Sequence, residues 1–170
     1  MKRSILWLAV LGAVAAVIAS RVEVNAKASD EAAIKALEER YAKAIRAKDA
    51  DAIMANYLPG DELVVFDVIP PRQYNGFDAF KKDWQGVIGS VAGPMQFDLS
   101  DLSIMAGPEY AFSHSIQRFR WTDAKGNKVD MTTRVTDCYK KINGKWMIVH
   151  EHISVPVELT TGKADMNSKP

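Results

Sequence analysis

Fourteen residues near the C-terminal end, Asn143-Gly-Lys-Trp-Met-Ile-Val-His-Glu-His-Ile-Ser-Val-Pro156, constrain the fold most. Asn143-Gly144 tolerates the positive φ that a hairpin turn needs, and Pro156 cannot continue a strand ladder. Between them the pattern predicts a strand from Trp146 to Val155. Strict alternation places Trp146, Ile148, His150, His152 and Ser154 on one face and Met147, Val149, Glu151, Ile153 and Val155 on the other. One face then carries two of the chain's three histidines and a serine among apolar residues. The other is apolar apart from one glutamate. This predicts a sheet that lines a cavity on its histidine face.

The chain upstream supplies partners for such a sheet. Ile34, Leu37, Tyr41, Ala44 and Ile45 repeat at helical spacing and predict a helix over 30–48, with Glu38, Glu39, Arg40 and Lys43 on its solvated side. Asp49 or Asp51 can cap a short second helix that ends before Pro59-Gly60. Leu63 to Val68 reads as a strand, with Asp67 inside the apolar run. Phe77, Phe80, Trp84, Val87 and Val91 predict a helix over 76–91. Three further strands, 95–104, 110–121 and 129–141, precede the Trp146 strand, separated by Gly107-Pro108 and by Asp123-Ala-Lys-Gly-Asn127. Helices followed by an antiparallel meander define an α+β fold. A curved sheet wrapped around the N-terminal helices would enclose a pocket.

The 170-residue chain divides into three segments. Residues 1–28 read as an export signal: Lys2 and Arg3, an apolar run from Ile5 to Ala19, and Ala26-Lys-Ala28 or Val24-Asn-Ala26 as the cleavage site. The apolar run is shorter than the ~20 residues a spanning helix needs, so a periplasmic or secreted protein without a stable membrane anchor is expected. Residues 29–158 form the domain, and 159–170 a polar, disordered tail. The formal net charge of +1 gives no electrostatic case for binding nucleic acid. Cys138 is the sole cysteine, which excludes an intramolecular disulfide and reads as a small buried apolar residue.

The order of these elements resembles the SnoaL-like branch of the nuclear transport factor 2-like superfamily, which includes ketosteroid isomerase. The resemblance is carried by Phe66-Asp-Val-Ile-Pro-Pro71, Gly76-Phe-Asp-Ala-Phe-Lys-Lys-Asp-Trp84, Arg134-Val-Thr-Asp137 and the Asn143–Pro156 stretch, and spans residues 30–157. It implies a cone-shaped α+β barrel, an interior pocket and a homodimer formed through the sheet. It also implies that Arg134 and His152 belong to the pocket. Members of the branch include isomerases, dehydratases, cyclases and non-catalytic binding domains. No stretch of this chain matches the tyrosine–aspartate oxyanion pair of ketosteroid isomerase.

The hairpin register decides which groups meet. A three-residue loop with a bulge pairs Lys141 with Lys145 and sets Thr132, Arg134, Thr136 and Cys138 on the face of His150, His152 and Ser154. A two-residue loop sets Thr133, Val135, Asp137 and Tyr139 there instead. The first is preferred, because it gathers Arg134, His152 and Ser154 inside and leaves Asp137 outside. Arg134 then needs a carboxylate partner, and Asp67 is the natural one, with Glu151 the alternative in the second register.

The candidate catalytic set is Asp67, His152 and Arg134. Tyr57, Trp84, His114, Thr136 and Ser154 are candidate substrate contacts. An aspartate in an apolar pocket has its pKa raised, which suits a general base, and histidine exchanges protons near neutrality. The expected ligand is a small apolar carbonyl compound. A metal is not expected, since a third ligand beside His150 and His152 would have to come from His114 or Asp67 across the fold. The chain has no phosphate loop, dinucleotide fingerprint or Gly-x-Ser-x-Gly, so no cofactor is expected. A non-catalytic binding or dimeric assembly role is the competing reading, with Phe119, Trp121, Tyr139 and Met147 as an outer apolar patch.

Overall fold

Helix α1 occupies residues 26–47 of the computed structural model, which describes residues 26–168; the first 25 residues of the expected export signal lie outside it. Its apolar stripe (Ile34, Leu37, Tyr41, Ala44 and Ile45) is buried. Each such Leu or Ile contributes about 1.5–3 kcal/mol relative to exposure. Two side chains pin its C-terminal end to the sheet. Arg46 Nε donates to the Phe97 carbonyl at 2.9 Å and Lys48 Nζ to the Gly93 carbonyl at 2.7 Å. Near its start Asp30 accepts from Lys141 and from Trp146 Nε1.

Helix α2 (Ala50–Met54) is capped by Asp49, whose carboxylate accepts the Ala52 N–H. The chain then bonds to the sheet in both directions: Leu58 N–H donates to the Ile148 carbonyl and Ile148 N–H to that of Asn56. Strand β1 is short, Val64–Phe66, and β2 is only Tyr74–Asn75. Helix α3 (Phe77–Ser90) buries Phe80 and Trp84.

Four long strands follow as expected: β3 Val91–Ala106, β4 Tyr110–Asp123, β5 Lys128–Ile142 and β6 Lys145–Ser154. They form a six-stranded sheet in the order β2-β1-β6-β5-β4-β3. The sheet is not closed, and it is antiparallel except where β1 runs parallel to β6. Irregularities in β3 and β6 interrupt the ladders, and such bulges bend a sheet. The fold is therefore α+β, with helices on the concave face of a curved sheet.

Two details depart from the sequence reading. The hairpin turn has two residues, Asn143 and Gly144, both at positive φ, and pairs Ile142 with Lys145 and Lys141 with Trp146. A bulge between the Cys138 and Tyr139 pairs then places one extra residue, Val149, in β6. That residue shifts the phase of the strand: Trp146 and Ile148 are buried before it, Glu151 and Ile153 after it. The inner face of β5, set by the two-residue turn, is Thr133, Val135, Asp137 and Tyr139. Residues 159–168 also carry structure beyond the polar tail expected there. β7 (Val157–Glu158) pairs with β8 (Lys163–Ala164), and the Met166 carbonyl accepts the Thr132 N–H at 2.7 Å.

Candidate functional site

The concave face carries an apolar cavity of about 220 Å³ between α3, the end of β1 and the sheet. Phe80, Trp84 and Val87 wall it from α3; Met95, Phe119, Met131 and Ile153 from the sheet; Met166 reaches it from the C-terminal segment. Alternation along β3 to β6 sends these side chains inward. The volume is below the ~300 Å³ lower end of sites for drug-sized ligands, which favours a small molecule.

Two carboxylates interrupt this lining, Asp67 and Asp83. Asp67 follows directly on β1, whose parallel pairing with β6 carries the chain to the cavity edge. Burial pushes its pKa up to about 6; the N–H of Val68 opposes the rise and the neighbouring Asp83 adds to it. Asp83, on α3, accepts the Tyr74 hydroxyl at 2.6 Å. Trp84 walls the same cavity with its ring, while its Nε1 is buried away from the open space and has no acceptor among the described residues. A base with a raised pKa and a large indole therefore border one small apolar space.

Beneath the cavity lies a polar network that the sequence reading did not assemble. Asp137 and Glu151 are direct partners across β5 and β6, both on the inner face and each 1% exposed. Glu38, expected on the solvated side of α1, is 2% exposed. Tyr57 donates to Glu151 Oε2 at 2.7 Å, Tyr41 to Glu151 Oε1 at 3.5 Å, and Tyr139 to Glu38 Oε1 at 2.7 Å. Ser113 completes the chain, 2.7 Å from the Tyr139 hydroxyl. Burial pushes Glu38 up to about 7 and Glu151 up to about 8. It pushes Asp137 well above the usual carboxylate range, reinforced by the other two acids. One signal for this network was legible: carboxylates at Asp137 and Glu151 fall on otherwise apolar faces.

Of the residues singled out from sequence, Asp67 and Trp84 line the cavity. Tyr57 is fully buried and turned to Glu151. His152, Arg134, His114 and Thr136 are exposed on the outer face of the sheet, and half-buried Ser154 pairs with Arg134 on that same face. Arg134, Thr136, His152 and Ser154 did end up together, but on the convex side. The two-residue turn put Arg134 and Thr136 there, and the Val149 bulge turned His150 and His152 outward with them. Consequently the expected Arg134–Asp67 ion pair does not form, and Asp67 has neither His152 nor Arg134 beside it. His150 is held in place by its Nδ1, 2.8 Å from the Val64 carbonyl. Among the described residues, no three His, Cys, Asp or Glu side chains converge as a metal site requires.

The expected outer apolar patch is also displaced. Phe119 and Tyr139 are buried and Trp121 lines the cavity. The outer face instead exposes Met105 and Phe112, which pair across β3 and β4, together with Tyr110. Cys138 lies beside them on β5, half-buried rather than in the core.

Comparison with known proteins agrees with this architecture. An NTF2-like protein from Pseudomonas putida is 32% identical, with 84% of this chain and 98% of that one covered and a TM-score of 0.75. A candidate scytalone dehydratase from Novosphingobium aromaticivorans is 17% identical over 79% of this chain and 89% of its own, with a TM-score of 0.70. A ketosteroid isomerase-like protein from Erwinia carotovora is 22% identical over 72% and 93%, with a TM-score of 0.61. No curated protein matches significantly. The profile of the SnoaL-like domain matches residues 34–158, the span that holds most of α1, the other two helices, the six-stranded sheet and all of the cavity lining but Met166, and the chain belongs to that family.

Proposed function

We propose that the cavity takes a small apolar carbonyl compound and that Asp67 moves a proton on it, in cofactor-independent isomerase- or lyase-type chemistry. The observation that carries this reading is Asp67 at the edge of an apolar space that Trp84 also walls and that Asp83 alone interrupts besides. The aspartate takes a proton from the carbon next to the carbonyl. The electron pair of that C–H bond becomes the C=C bond of an enolate as the carbonyl π pair moves onto oxygen. Return of the proton from Asp67 to a different carbon gives an isomer; delivered instead to a β-hydroxyl, it lets that group leave as water while the enolate pair forms the C=C bond of the dehydrated product. The likeness to isomerase-like and dehydratase-like proteins supports the reading at the level of the fold.

One observation favours a second reading, ligand binding without catalysis: the histidine and arginine expected beside Asp67 lie on the other face of the sheet. Deuterium exchange separates the two. Small cyclic ketones and enones are incubated with the protein in D2O, α-carbon exchange is followed by NMR, and binding by Trp84 and Trp121 fluorescence. Catalysis predicts exchange that Asp67→Asn slows by at least ~100-fold while binding persists. Binding with no exchange supports the second reading. Neither binding nor exchange removes both.

Two settings complete the proposal. Residues 1–28 direct export to the periplasm or beyond, with cleavage at Ala26 or Ala28; among the described residues no helix is long and apolar enough to cross a membrane. The outer sheet face, with Phe66, Phe112 and Met105 exposed, joins a second copy. N-terminal sequencing of the exported protein and sedimentation test these in turn.

A further inference from the structure

We infer that α1 is latched to the sheet by three uncharged carboxyls, Glu38, Asp137 and Glu151, and that the latch releases as the medium turns alkaline. The inference does not depend on what the cavity binds.

The geometry is a row of acids with no cation in it. Asp137 and Glu151 face each other across β5 and β6 on the inner face. Glu38 and Tyr41 come down onto them from α1, Tyr57 from the segment after α2, and Tyr139 from β5. Like charges directly opposite on neighbouring strands repel, and a buried carboxylate without a partner neutralises instead. Lys35 and Arg46 border the same groove as Glu38, together with the acids Glu31, Glu39 and Asp101, and Cys138 adjoins Asp137 on β5. The basic residues of α1 near it (Lys35, Arg40 and Lys43) are exposed, and Arg46 is bonded to the Phe97 carbonyl. Lys141 of β5 is paired with Asp30. His150 and His152 of β6 face outward, and from β1 the nearest ionisable group, Asp67, is another acid. Asp137 Oδ1 has no partner at all among the described residues.

The tyrosine hydrogen bonds favour ionised carboxyls, but burial outweighs them at Glu38 and Glu151; a protonated carboxyl keeps its carbonyl oxygen as an acceptor and gains a donor. Loss of the protons puts negative charge on both sides of the seam, on Glu38 of the helix and on Asp137 and Glu151 of the sheet. Water has a route to it: Glu38 forms part of the wall of a groove of about 780 Å³ between α1 and β3. The folded-state pKa values support the direction. All three are raised by burial above those of unfolded carboxyls. The folded chain therefore binds more protons than the unfolded one. The stabilisation is complete below the unfolded values near 4 and is lost as pH rises through about 7 for Glu38 and about 8 for Glu151.

Urea unfolding of the wild-type chain between pH 5 and 9 tests this. The midpoint falls steadily, and the logarithm of the unfolding constant climbs with a slope of about three protons per pH unit over the lower part of that range, Asp67 adding to it below about pH 6. Glu38→Gln, Asp137→Asn and Glu151→Gln, which keep shape and hydrogen-bonding capacity, each lower that slope by about one proton or less. Hydrogen exchange corrected for intrinsic rates rises in residues 26–47 before it rises in α3. A wild-type profile flat from pH 5 to 9 overturns the inference, and so does a slope that none of the three variants reduces. Exchange that rises uniformly along the chain overturns the placement at α1. If a variant does not fold, infrared spectra of the wild type decide: a protonated-carboxyl band that persists at pH 7, above the titration of Asp67, and weakens by pH 9 supports the latch, and its absence at pH 6 rules it out.

Discussion

Tyr57 donates a 2.7 Å hydrogen bond to Glu151 across 94 residues of sequence, joining the segment after α2 to the central strand pair. Both residues are almost wholly buried, so neither atom finds water if the other is removed. Tyr57→Phe keeps the ring and its edge contacts with Tyr41 and Phe80 and deletes only the donor. The expected cost is about 1–3 kcal/mol, because an acceptor is left unsatisfied in the core. Urea unfolding at fixed pH measures it. A loss under about 0.5 kcal/mol would mean that Glu151 has found another donor.

Asp67 has its own signature in pH. Burial raises its pKa to about 6, so the folded state favours the protonated form. Its contribution to stability is present below the unfolded value near 4 and is lost as pH rises through about 6. Asp67→Asn is therefore expected to stabilise the chain at pH 8, by on the order of 1 kcal/mol after allowance for partial exposure, and to change it little at pH 4. Catalysis moves the opposite way: a base works ionised, so kcat/KM of a substrate found by the exchange assay rises with pH and levels off above about 6. A variant that is stabilised and inactive at pH 8 would match a site that trades stability for function.

Arg134→Ala distinguishes the observed convex position from a pocket position. Arg134 is exposed, and it shares its outer face with Ile116 and Ser154. Truncation is expected to change stability by less than about 1 kcal/mol and to leave ligand binding in the cavity unchanged. The same holds for His152→Ala. A loss of roughly 3–5 kcal/mol on removing Arg134 would point to a buried ion pair and contradict the outer placement.

The elements were legible because their signals are local. Helical spacing around Ile34 and Leu37 located α1, the Phe77-to-Trp84 repeat located α3, and Asn143-Gly144 located the β5–β6 turn. Asp67 and Trp84 were found because a carboxylate or a large indole inside an apolar pattern is visible without knowing what it touches. The other candidates required knowing which way β6 faces, and that depends on Val149. A bulge residue has no distinctive side chain; it exists because pairing with β1, β5 and the Tyr57 segment must be satisfied together. Strict alternation therefore read His150 and His152 as inward and Glu151 as outward, the reverse of what the sheet requires. Glu38 was misplaced for a similar reason, since a run of charges on α1 concealed one acid turned toward Tyr139.

The bulge itself can be tested by deletion. Val149 is the residue in excess: Ile148 pairs with Tyr139 and His150 with Cys138, two successive positions on β5. Removing it would leave Ile148, Glu151 and Ile153 inward and His150 and His152 outward, now in an unbroken ladder. The deletion should fold, losing the packing of one half-buried valine and the local bend, a cost of about 1–2 kcal/mol. Deleting Val135 from the partner strand has the opposite consequence. It adds a second mismatch to the first and reverses either Asp137 and Tyr139 or Thr133 on the inner face, so that variant should not fold. Circular dichroism and urea unfolding of the two variants side by side provide the comparison. If the Val149 deletion unfolds as completely as the Val135 deletion, the extra residue is required for the curvature of the sheet, and the bulge is more than a correction of register.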